Sequence, residues 1–65
     1  MANEFLDRLK LEQQELLEKV TKLAMFLASD KIEMLTIANK LLLNQQLVHM
    51  NDYLNILTIR IELIK

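Results

Sequence analysis

The sequence predicts an all-α protein: an antiparallel helical hairpin with a short helical turn in its connector, assembled into a homo-oligomeric helical bundle. Three observations carry this reading. The chain contains neither Gly nor Pro, the residues that make tight turns, so few turns can form. Hydrophobic residues make up 52% of it and recur at helical spacing in two long stretches. A chain of 65 residues also buries only about 60% of its unfolded surface, so its own core is thin. Small proteins complete such cores with disulfides, a metal or partner subunits. Here there is no Cys and a single His, His49, which leaves association.

The first helix is expected over about residues 3–28. Leu6, Leu9, Leu16, Val20, Leu23 and Leu27 form one stripe, with Gln13 as its polar member. Asn3 reads as the N-cap, and Glu4 and Asp7 sit in the first turn, where the helix dipole favours acids. Ser29-Asp30 then interrupts the pattern. Asp30 and Glu33 have the spacing of a capping box, which would open a short helical turn over residues 30–35. Thr36 offers the next N-cap. The second helix is expected over about residues 37–64, with Leu43, Leu47, Met50, Leu54, Leu57, Ile61 and Ile64 as an unbroken apolar stripe. Helices of matched length on a short connector pack antiparallel, as one domain spanning residues 1–65.

The second helix carries more apolar surface than a hairpin partner covers. Ile56, Ile59 and Leu63 lie beside the main stripe, and leaving several such side chains wet forfeits several kcal/mol at ~25 cal/mol per Å². Self-association is therefore expected through the C-terminal half of this helix, with Leu54, Ile56, Ile59, Ile61 and Leu63 as interface residues.

Several function classes are disfavoured. The N-terminal residues carry acids and lack the apolar core of a signal peptide, and no apolar run approaches the ~20 residues of a membrane span. A net charge of −1 does not suit a protein that coats polyanions. Without Cys, the chain fits a reducing cytosol. No nucleophile stands beside a base, no phosphate-binding Gly loop is present, and no zinc-type ligand set can be assembled, so neither catalysis, a cofactor nor a metal is expected.

The residues that could bind a ligand are Gln46, Tyr53 and Arg60, seven apart and so on one edge of the apolar seam, with Met50 and His49 beside them. Tyr can stack on a planar base, Arg can fork onto a phosphate and Gln can read a base edge. The plainer alternative makes Tyr53 an interface aromatic and Arg60 a side chain snorkelling from a dimer seam. Gln13 either fixes register or oligomer state, bonding Gln46 or Tyr53 across the hairpin, or contacts a ligand directly. Phe26 and Met25 are expected to pack under the turn, with an aromatic lid as the other use of Phe26. Lys19 with Lys22, and Arg8 with Lys10, form basic pairs that either receive phosphates or belong to a solvated face.

The run Leu42-Leu43-x-x-Gln46-x-x-x-Met50-x-x-Tyr53-Leu54-x-Ile56-Leu57-x-x-Arg60-Ile61 resembles the helical-hairpin proteins of phages. That family includes the anti-CBASS and anti-Thoeris cyclic-nucleotide sponges and short crAss-like phage proteins. In the first helix Arg8-Leu9-x-x-Glu12 and Leu16-x-x-Lys19-Val20-x-Lys22-Leu23-x-x-Phe26-Leu27 agree more loosely. The resemblance implies a non-catalytic sponge built from dimers, and often hexamers, of hairpins. Such an assembly holds cyclic di- or trinucleotides, or cyclic ADP-ribose isomers, between protomers in the cytoplasm of the bacterial host. Tyr53 would stack, Arg60 and Lys22 would neutralise phosphates, and Gln46 would hydrogen-bond. Two other readings compete: a coiled-coil adaptor that binds another protein, and an RNA-binding four-helix dimer, which the mixed charges along both helices disfavour.

Overall fold

Asn3 starts the first helix in the way its side chain allows. In the computed structural model, which describes residues 3–64, the Asn3 Oδ1 accepts the Leu6 N–H at 3.1 Å. Helix α1 then runs Glu4–Leu27, 24 residues, with Glu4 and Asp7 in its first turn. It ends without Gly. The Ala28 N–H still reaches the Ala24 carbonyl, and the Ser29 hydroxyl donates to the Phe26 carbonyl at 2.7 Å, satisfying a group the helix end leaves open.

A 3₁₀ turn, Asp30–Met34, follows. The capping box expected from Asp30 and Glu33 does not form. The turn begins one residue earlier, on Ser29, and no side chain caps it. Asp30 is thereby drawn inside the turn, and the Glu33 carboxylate reaches forward to the Lys40 ammonium at 3.6 Å. The second cap does form: Thr36 Oγ1 accepts the Asn39 N–H at 3.2 Å, and α2 runs Ile37–Ile64, 28 residues.

The two helices lie side by side as a hairpin about 50 Å long and 15 × 13 Å across. Among the described residues there is no strand. The core lies between α1 and the second half of α2: Leu9, Leu16, Val20, Leu57 and Ile61 are buried, Leu57 completely. Leu6, Leu47, Met50, Leu54 and Ile64 pack around them. Every member of the expected α2 stripe, from Leu43 to Ile64, is buried or half-buried. Gln13, on the α1 stripe, donates from Nε2 to Thr58 Oγ1 at 2.9 Å. Its partner is thus Thr58, not Gln46 or Tyr53. The antiparallel register places Thr58 level with Gln13, while Gln46 lies 12 residues back, about 18 Å along the axis.

Helix α1 leaves Phe5, Leu11, Leu17 and Met25 exposed, and α2 leaves more apolar surface open, on more than one side. Ile37, Leu41, Leu42, Val48, Ile56, Ile59 and Leu63 are all exposed on it. Met25, expected under the turn, is 68% exposed, while its neighbour Phe26 is half-buried. The one-residue step between them rotates the helix by about 100°, so only one of the two can face inward. No helix is long and apolar enough to cross a membrane among the described residues.

Candidate ligand-binding edge

One long edge of the hairpin collects most of the residues singled out from the sequence. Gln46, Tyr53 and Arg60 immediately precede Leu47, Leu54 and Ile61, which face α1. On α1, Phe5 and Phe26 immediately precede Leu6 and Leu27 in the same way. In an antiparallel helix pair, positions that flank the seam on the same side meet each other across it. The contact that demonstrates this is Arg60 over Phe5. The guanidinium carbon lies 5.9 Å from the ring centroid, within cation–π range.

Along this edge the polar groups face water. Gln46 is exposed, and its Nε2 lies 3.8 Å from the Met50 sulfur, one turn along the helix. Tyr53 is 43% exposed. Lys22 is exposed on the penultimate turn of α1, one turn before the half-buried Phe26. Met50, by contrast, packs against the core and belongs to the seam.

The edge is extended rather than focused. Gln46 and Arg60 are 14 residues apart, about 21 Å along α2. Phe26 and Lys22 lie toward the turn, and Phe5 and Arg60 toward the open end. Among the described residues the single hairpin forms no pocket and no cluster of acids and His that could hold a metal ion.

The residues proposed for association divide. Ile56 and Ile59, each 54% exposed, and Leu63, 81% exposed, turn away from α1. Ile61 is buried inside the hairpin and Leu54 is half-buried against the same core, so their apolar surface is already largely used.

Two residues of this arrangement were not legible from spacing on one helix: Phe5 and Thr58. The available signal was positional. Phe5 stands one residue before the seam on α1 just as Arg60 does on α2, and their pairing emerges once the hairpin register is set. Thr58 is further fixed by its own helix. Its hydroxyl donates to the Leu54 carbonyl at 3.0 Å, which leaves an oxygen lone pair to accept Gln13.

No curated protein and no solved structure matches this chain. A family model described as Sequestin matches residues 3–63, nearly the whole hairpin, in agreement with the resemblance to the phage sponge hairpins. The chain belongs to the Sequestin family.

Proposed function

We propose that this protein is a non-catalytic sponge that sequesters a cyclic di- or trinucleotide between copies of itself. The carrying observation is the exposed edge on which Gln46, Tyr53 and the Phe5-backed Arg60 stand in line beside the outward-facing Ile56 and Leu63. Stacking, phosphate and base-edge chemistry thus lie next to the apolar surface that most needs a partner. The Sequestin family name speaks for sequestration and for binding rather than turnover.

Ligand sites for small molecules are concave, and two helices side by side offer no concave wall. A second copy against Ile56, Ile59 and Leu63 supplies that wall, so association and binding become one event. In this reading Tyr53 stacks on a base, Arg60 and Lys22 face phosphates, Gln46 hydrogen-bonds, and Phe26 closes the turn end. The family resemblance supports a phage-encoded protein acting in the bacterial host cytoplasm, where removing the signal would keep a defence effector inactive.

Calorimetric titration with a panel of cyclic di- and trinucleotides tests this directly. Saturable heat that is lost in Tyr53→Ala and Arg60→Ala supports the sponge, and absence of heat with every member of the panel rejects it.

The exposure of Ile59 and Leu63 also favours a second reading, an adaptor that binds another protein. That reading predicts binding that survives Arg60→Ala and fails when Ile59 or Leu63 is made charged.

A further inference from the structure

The bond between Gln13 and Thr58 sets those two residues level, and that register orders the exposed edge in rungs. Arg60 stands two residues past Thr58, so its level on α1 falls one residue, about 1.5 Å, from Glu12. By the same register Tyr53 falls one residue from Lys19, and Gln46 one residue from Phe26. Glu12 and Lys19 precede Gln13 and Val20 of the α1 stripe just as Phe5 and Phe26 precede Leu6 and Leu27, so both belong to this edge.

Glu12 differs from the other acids of its helix. It is half-buried, whereas Glu4, Asp7, Glu15 and Glu18 are exposed. The Arg60 guanidinium, on the same rung, leans away toward the open end and lies over the Phe5 ring. Among the described residues Glu12 makes no ion pair and no hydrogen bond. A carboxylate taken partly out of water without a partner lowers stability, and no contact within the hairpin offsets that.

We infer that Glu12 is a further ligand-binding residue of this edge, and a specificity-determining one, whose carboxylate accepts a hydrogen bond from an O–H or N–H donor of the bound nucleotide. The inference rests on the sponge reading and deepens it. An ionised carboxylate only accepts, and it repels phosphate. Arg60 on one side and Lys19 about 10 Å along the axis on the other supply cations for phosphates. The group that falls between them, at Glu12, is therefore one that donates. A nucleotide carries two such groups, the ribose hydroxyls and the N–H groups of its base.

The sign of a substitution separates this role from that of a solvated surface acid. Removing a surface acid near an anionic ligand relieves repulsion, so binding stays equal or tightens. Removing a charged acceptor that is hydrogen-bonded to the ligand weakens binding by about tenfold or more.

Calorimetric titration of the whole chain with cyclic di-AMP, its 2′-deoxy analogue and cyclic di-GMP makes the test. Glu12→Ala should weaken binding of the tightest of the three by about tenfold or more. Glu15→Ala, at an exposed acid outside the rungs, should leave it equal or tighter. A ribose donor shows as weaker binding of the deoxy analogue by the wild type, and a base donor as unequal binding of the adenine and guanine ligands. In either case Glu12→Ala should erase the difference. In urea this variant should unfold at or above the wild-type midpoint, because it loses no contact within the hairpin.

Binding by Glu12→Ala as tight as that of the wild type, or tighter, would overturn the inference and leave the sponge standing. A wild type that binds all three ligands alike, or a variant that keeps the wild-type discrimination, would overturn it as well. So would a lowered urea midpoint, which would give the carboxylate a structural role. Absence of heat from every ligand with the wild type would reject the sponge itself, and this role with it.

Discussion

Gln13 of α1 donates from its amide to the Thr58 hydroxyl of α2 at 2.9 Å, and this is a polar tie between the helices. It joins the one polar position of the α1 stripe to a residue just past the α2 seam. Apolar stripes on two helices tolerate sliding, because Leu against Leu differs little from one turn to the next. A directional bond does not slide, so Gln13 specifies register at some cost in apolar burial.

A double-mutant cycle on Gln13→Ala and Thr58→Val measures this tie. The bond is partly wet, so a coupling of about 0.5–1.5 kcal/mol is expected in urea unfolding. Strict additivity of the two substitutions would mean that the contact contributes nothing.

Phe5 and Arg60 give a second tie, at the open end of the hairpin. Replacing Phe5 by Leu keeps the bulk but removes the ring face, and should cost about 0.5–1 kcal/mol, an exposed cation–π contact. Phe5→Trp should recover the loss or exceed it. If Leu and Trp at this position unfold at the same urea concentration, the ring face is irrelevant and Arg60 is held by other means.

The core should respond much more strongly than either tie. Leu57 is completely buried at the centre of the seam, and Leu57→Ala should cost about 2–5 kcal/mol, comparable to the stability of a small domain. The expected result is loss of helical circular dichroism at low micromolar concentration. Leu63→Ala, at an 81% exposed site, should leave the hairpin's helicity intact. Equal effects at the two positions would contradict the burial pattern.

The connector separates a cap from an ion pair. Thr36→Ala removes the acceptor for the Asn39 N–H and should cost about 1 kcal/mol. Glu33→Gln removes the 3.6 Å pair between Lys40 and the 78% exposed Glu33 side chain, and should cost less than about 0.5 kcal/mol once solvent screening is counted. A thermal melt in which Glu33→Gln is the more damaging change would reverse this ranking.

The elements and their inward faces followed from the chain alone, for physical reasons that can be named. Helical periodicity is local: Leu6 to Leu27 and Leu43 to Ile64 mark their stripes without reference to any distant residue. The N-caps at Asn3 and Thr36 act within three residues, and both form as read. Asp30 and Glu33 had the spacing of a cap as well, yet the turn begins on Ser29, whose hydroxyl is spent on the Phe26 carbonyl at the end of α1.

What only the tertiary structure decided is how the two stripes align. The partner of Gln13 and the ring beneath Arg60 both depend on a register set by all the seam contacts together, which no single helix encodes. The same register divided the apolar residues of α2, taking Leu54 and Ile61 into the hairpin and leaving Ile56, Ile59 and Leu63 outside. The sequence by itself determined that α2 has more apolar surface than one neighbour can cover. Packing determined which of that surface remains, because burial is a property of two surfaces meeting and not of either strip of residues alone.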